Sequence, residues 1–376
     1  MQFSFSDEQE EFRRTVRRFL DDTSPPDEVR RLMETDEGFD PSVWEKLCGG
    51  LGLTGIAIPE EYGGQGFGFV ELALTLEEMG RSLLCAPFFS STVCAANAIL
   101  NAGSEDEKKS LVPPIASGET IATLAVAETG GVWTADGIGL TAKKTGSSFN
   151  LDGIKSFVVD GHTADRIVVV AREPGSQGSD GLSFFIVSGD ADGLSRRLLT
   201  TLDPTRKLAE LTFKNVSGEL IGELGAGAEP LSRTIDQAVV GLANEMIGGA
   251  QKVLETAVDY AKVRMQFGRA IGSFQAIKHR CADLLLEVEH AKSAAYYAAA
   301  AAAEGADDLP ALACLAKASC SDAYRRVASA SIQIHGGVGF TWENDTHLYF
   351  KRARSSEAFL GTPDDHREQL LQRWGI

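Results

Sequence analysis

Apolar residues recur at helical spacing toward both ends of the chain and as short continuous or alternating runs in the middle. Ser6 stands three residues before Gln9, the spacing of a capping box, and Phe12, Val16, Phe19 and Leu20 then follow at helical period. Further helices are expected over 42–51, 68–83, 90–102 and 105–117, with the glycine-rich PEEYGGQGFGF as a loop between the first two of these. From Thr120 to Glu229 the texture changes. SFNLDGIKSFVV reads as a hairpin turning at Asp152-Gly153, and RIVVVAR, LSFFIVS and AELTFKNV are β-branched runs bounded by Gly, Pro, Asp and Ser. From Pro230 an apolar stripe (Ile235, Val239, Leu242, Met246, Val253, Ala257, Tyr260) runs to Arg264, and helices are expected near 274–304, 308–335 and 344–360. The pattern is α+β: a helical domain over 1–119, a small β-barrel-like domain over 120–229, and an alanine-rich four-helix bundle over 230–376.

A length of 376 residues suits more than one core, and 43% hydrophobic with 24% charged residues suits a globular protein. AAYYAAAAAA, from Ala294, is about half the ~20 residues of a bilayer span, so no membrane crossing is expected. The first residues, MQFSFSDEQEEF, lack the basic and apolar regions of a secretory signal. Six cysteines (48, 85, 94, 281, 314, 320) form no C-x-x-C pair. Reduced thiols in a cytoplasmic protein are the simplest expectation.

Charge sharpens the picture. There are 53 acidic residues against 36 Lys and Arg, a net charge of -17. Yet Tyr260 to Arg280 holds Lys262, Arg264, Arg269, Lys278 and Arg280 and no acid, interleaved with Phe267, Gly268, Gly272 and Phe274. Nucleic acid is a poor fit, since a polyphosphate selects broad basic surfaces. A local basic patch on an acidic protein suits a small anion such as a nucleotide or a CoA ester. Taken singly, a basic run at a helix end also complements the macrodipole, and Gly336-Gly337 after a helix also reads as a C-cap.

The order helical, β, helical bundle, with RMQFGRAIGSFQAIKHRCADL, QIHGGVGFTWENDTHLYFKRAR and IPEEYGGQG, resembles the acyl-CoA dehydrogenases over essentially the whole chain. The resemblance implies FAD held between subunits of a tetramer, an acyl-CoA substrate, and an electron-transfer flavoprotein as acceptor. It implies that Arg264 pairs with the FAD pyrophosphate through charge-assisted bonds, with Phe267 packed nearby. Gln333, Gly336 and Gly337 would complete the clamp, the glycines letting backbone amides approach the phosphates. Gln266, Phe274, Phe157 and Thr362 are further FAD contacts that it implies.

The match fails where a base is needed. Most relatives carry a Glu before the Gly-Thr that here follows Leu360, and a second group uses a helix position that here is Ala238. Glu245, on a face with Ala238, Gly241, Gly248 and Gly249, is either the base in a cavity or the partner of a cation across a close helix contact. The β domain departs too: LAVAETGGVWTAD has Ala127 for a threonine, and FVV (Phe157 to Val159) replaces Trp-Ile-Thr. Elements that grip a neighbour's FAD are kept while those seating the chain's own flavin ring are worn. Three functions follow: a dehydrogenase subunit with Glu245 as base, in a homotetramer or in a heterotetramer with a paralogous chain acting on bulky acyl groups such as steroid side chains; a catalytically silent subunit completing the FAD site of such a partner; or, since the usual base is absent, a family member turned to oxygen chemistry or to acyl-CoA binding.

Overall fold

The computed structural model describes residues 5–146 and 148–376. In chain order the helices begin with α1 (Asp7–Thr23), α2 (Pro26–Met33), α3 (Pro41–Glu45), α4 (Phe69–Ser82), α5 (Ala96–Ala102) and α6 (Glu105–Ala116). Seven strands follow: β1 (Ala122–Ala125), β2 (Thr141–Thr145), β3 (Ser148–Val159), β4 (Arg166–Arg172), β5 (Leu182–Ser188), β6 (Leu194–Leu198) and β7 (Leu208–Ile221). Then come α7 (Ala228–Val263), the short strands β8 (Met265–Gln266) and β9 (Arg269–Ala270), and α8 (Gln275–Glu304), α9 (Leu309–His335), α10 (Thr346–Ala358) and α11 (Pro363–Arg373). The chain is thus helical at both ends around a β domain. Packing groups it into two compact units that cut across the sequence: the chain up to Arg31 joins Phe69–Leu84 and Val239–Ile376, while Leu32–Gly68 joins Cys85–Ala238.

The helical unit explains why α4 leaves its sequence neighbours. Its Glu77 and Glu78 are buried, and α1 answers with cations: Arg13 Nη2 lies 3.1 Å from Glu77 and Arg17 Nη2 lies 2.6 Å from Glu78. Burial raises the Glu77 carboxyl above its usual range, and Arg13 opposes that shift. Where α4 meets α7 the backbones nearly touch. A Cβ at Gly80 would collide with the Glu245 carbonyl, and one at Gly248 with the Glu77 carbonyl. Only glycine permits that approach. No described helix is long and apolar enough to cross a membrane, and all six cysteines are free thiols.

In the other unit, β4, β2, β3, β7 and β5 close on themselves through a β4–β5 pairing, with β1 beside β4 and β6 beside β7. The barrel core includes Leu151, Ile167, Val169, Phe185, Leu211 and Phe213. One expectation fails here. SFNLDGIKSFVV is a single strand, not a hairpin, because β2 pairs with β3 at Thr145↔Ser148 and β3 then runs through Asp152-Gly153 to pair with β7. Asp152 accepts from the Asn215 amide (2.8 Å) opposite a bulge in β7, and Gly153, at φ 145°, follows that register shift where a Cβ would press on Leu140 at 2.9 Å. A bulge uses the same residue types as a tight turn, so the local signal was ambiguous.

Candidate functional site: the basic hairpin, the glycine segment and Glu245

The basic segment folds as a protruding hairpin. β8 and β9 pair at Met265↔Ala270 and Gln266↔Arg269, and the two tip residues, Phe267 (φ 51°) and Gly268 (φ 78°), both adopt positive φ. That is the geometry of a type I′ turn, the turn whose twist matches two flanking strands. The Arg264 amide donates to Tyr260 O at 2.9 Å, and Arg264 O accepts from Ile271 N at 2.8 Å, so the hairpin base is closed. Its tip is left in solvent: Phe267 is 91% exposed. Phe274 stands edge-on to it at 6.1 Å and lies under the Arg269 guanidinium at 4.0 Å. Arg264 is exposed and makes no ion pair among the described residues. Gln266 is exposed as well, its amide turned back to Met265 O.

The second segment begins at the C-terminal end of α9. Gln333 is exposed on the last turn, and Gly336 (φ 64°) and Gly337 have open space where a Cβ would stand. His335, just before them, is buried and stacks on Tyr260 with ring centroids 4.3 Å apart, its Nδ1–H donating to Ser331 O at 2.8 Å. That stack ties the start of the glycine segment to the helix leading into Arg264. Exposed Val263, Met265, Val338, Phe340 and Trp342 accompany both segments. Exposed apolar side chains on both segments, with an exposed guanidinium on the hairpin, fit a group reached from outside the subunit. These residues fit the phosphate end of FAD.

Thr362 N-caps α11, its Oγ1 donating to Asp365 Oδ2 at 2.7 Å, so its hydroxyl already has a structural partner. In the β unit, Phe157 holds a positive φ (59°) at a register shift of β3 and is partly exposed, with Gly131 beside its ring. Two residues earlier on β3, wholly buried Lys155 pairs with half-buried Glu128, a contact the sequence did not mark. Lys155 Nζ donates to Val126 O (2.8 Å) and Glu128 Oε1 (3.0 Å), while the same Glu128 oxygen accepts from the Gly139 and Leu140 amides. Burial pushes the Lys155 ammonium down to about 8, and Glu128 works against that shift. The pair fastens the loop after β1 to the strand that carries Phe157.

Glu245 is placed by α7 in the glycine contact with α4, and its Oε1 accepts from Arg352 Nη1 of α10 at 2.8 Å. Both side chains are buried. Of the two readings of that small-residue face, the geometry is that of the cation partner: helix backbone fills the space and a guanidinium takes the carboxylate. Leu360 and Ala238 are buried and carry no acid.

Sequence profiles of the N-terminal, middle and C-terminal domains of acyl-CoA dehydrogenases match residues 6–119, 123–216 and 225–375. This chain belongs to the acyl-CoA dehydrogenase family. It is accordingly of the FAD-dependent oxidoreductase class. Acyl-CoA dehydrogenase IpdE2 of Mycolicibacterium smegmatis is 33% identical over 365 residues, 97% of this chain and 97% of that protein. A solved ChsE4-ChsE5 complex from Mycobacterium tuberculosis superposes with a TM-score of 0.89 at 27% identity, over 100% of this chain and 99% of that one. A structure described as the Tcur3481-Tcur3483 steroid ACAD does so at 0.87 and 29% identity, over 98% of each chain.

Proposed function

We propose that this dehydrogenase chain is one subunit of a two-chain assembly that desaturates the α,β-bond of a bulky acyl-CoA thioester, such as one with a steroid side chain, and passes electrons to an electron-transfer flavoprotein. The chain completes the FAD site of a paralogous partner through Arg264, Phe267, Gln333, Gly336 and Gly337. The partner supplies the carboxylate that accepts the α-proton. FAD, when bound, accepts the hydride from the β-carbon.

The observation that carries this reading is the pairing of Glu245 with Arg352. A general base must reach the acidified carbon within hydrogen-bond distance. Glu245 would first have to leave a buried guanidinium, and the other two family positions are Leu360 and Ala238. The exposed apolar residues around the Arg264 hairpin support assembly with another chain, and the ChsE4-ChsE5 complex supports a partner that differs in sequence. Co-expression with a paralogous chain tests the reading. The pair should purify yellow, and an acyl-CoA should bleach it without oxygen, whereas this chain alone should purify with little flavin. A chain that is fully yellow and bleaches by itself would overturn it.

A further inference from the structure

Two buried side chains converge on the turn between α10 and α11. There Leu360 takes a left-handed φ of 61°, a region that L residues with bulky side chains rarely enter, and Gly361 follows at 101°. Lys317, wholly buried on α9, reaches this turn with its Nζ. It lies 3.0 Å from Ser356 O, 3.0 Å from Glu357 O, 2.9 Å from Gly361 O and 3.2 Å from Ser321 Oγ. Ser356 and Glu357 lie in the last turn of α10, where carbonyls lack helical partners and the macrodipole is negative. From the other side the Nε2–H of buried His366 donates to Leu360 O at 2.8 Å.

We propose that Lys317 is a positioning residue whose buried ammonium, together with His366, holds the Leu360–Gly361 turn in its left-handed geometry, and that loss of the Lys317 proton loosens the turn. Packing alone gives no reason for a lysine here, because burying an ammonium is costly unless its hydrogens are taken up. The acceptors are those of the turn. A neutral amine keeps two N–H donors instead of three, so at least one carbonyl must let go. The charged and titratable groups facing Lys317 are Glu357 on α10, Cys320 on its own helix, and Asp365 and His366 on α11. Glu357 is shared with Arg325 and Arg354, and Asp365 is engaged by Thr362. Burial brings the Lys317 ammonium down to about 7, against the pull of Glu357, while burial holds His366 at about 4. Lys317 therefore changes charge around neutrality, and His366 keeps its donor throughout.

The family resemblance implies that most relatives carry their catalytic Glu at the position that is Leu360 in this turn. The functional weight of the clamp thus rests on the reading that the turn faces the acyl group, but the clamp itself does not. Hydrogen exchange followed by mass spectrometry on the full FAD-loaded assembly tests it. The peptide spanning 357–366 is compared at about pH 6 and about pH 9, each corrected for intrinsic exchange. Its protection in the native protein should fall about three- to tenfold at the higher pH, the equivalent of roughly one hydrogen bond. In Lys317→Met it should be low at both values, with α7 peptides unchanged. Native protection that stays flat with pH overturns the proposal, and that arm decides the matter even where Lys317→Met fails to fold. If the clamp behaves as described but Leu360→Glu adds no flavin reduction, the clamp stands and the reading of the turn as facing the acyl group falls.

Discussion

Arg352 Nη1 lies 2.8 Å from Glu245 Oε1, and the two side chains are buried where α10 meets α7. This pair decides how the glycine-rich face of α7 is used. Gly248 admits the backbone of α4, and the carboxylate nearby is matched by a cation rather than aimed into a cavity. Removing one partner strands the other charge, which costs more than removing both. Arg352→Met should therefore lower stability by about 3–5 kcal/mol. The double variant Glu245→Met/Arg352→Met should lose less than the sum of the single changes. Chemical denaturation of the four proteins measures this, and additive losses would count against a buried pair.

Arg264 makes a separate prediction, because it is exposed and unpaired among the described residues while its hairpin is fixed by backbone bonds. Arg264→Ala should leave the fold intact and weaken FAD retention. A charge-assisted bond to phosphate is worth about 1.5–3 kcal/mol, or roughly ten- to a hundredfold in affinity. The ratio of flavin to protein absorbance after gel filtration reads it directly. Full occupancy at micromolar FAD would remove Arg264 from the site.

Lys317 sets a sign for the pH dependence of stability. Its folded-state value, brought down to about 7 by burial, lies below the ordinary value of 10.5. The unfolded chain therefore holds the proton more tightly, and Lys317 contributes stability that grows as pH rises from about 7 toward the ordinary lysine range. Relative to Lys317→Met, the native protein should gain stability over that window. A difference that is constant with pH, by urea unfolding, would contradict the assigned environment.

In the β unit, Glu128 holds both Lys155 and two backbone amides of the loop after β1. Glu128→Gln keeps the shape but leaves the buried ammonium without its countercharge. Turning that ionic hydrogen bond into one to a neutral carbonyl predicts a cost of up to about 1.5–3 kcal/mol. It should appear as a lowered melting temperature together with faster exchange across 126–140. Unchanged exchange in that loop would mean that Lys155 is held by Val126 O alone.

Much of the fold was legible because its signals are local. The Ser6–Gln9 capping box forms as spaced, with Gln9 N donating to Ser6 Oγ at 3.2 Å and Ser6 N to Gln9 Oε1 at 3.0 Å. The long helices α8 and α9 lie within a residue of the apolar stripes that foretold them. Local signals misled where one residue type serves two purposes, as Asp152-Gly153 does opposite a bulge instead of in a turn. The short helix α2, the β8–β9 hairpin and α11 offered too few residues for a period to show. The site's polar partners were illegible for a different reason. Arg352 is 107 residues from Glu245, and the carbonyls that hold Lys317 lie 39 to 44 residues away. Nothing near either residue in sequence marks such a partner. A lysine inside an alanine-rich helix was the only available hint.

The most direct test of the two-chain account is the rate at which acyl-CoA reduces the flavin, without oxygen, in the co-expressed assembly carrying Glu245→Gln in this chain. Flavin content and oligomeric state are checked first, so that lost stability is not read as lost chemistry. The account predicts reduction at the native rate, because the α-proton goes to a carboxylate of the partner. A fall of about 10²–10⁴, the usual contribution of a general base, in an assembly that keeps its flavin would instead make Glu245 the base and contradict the account.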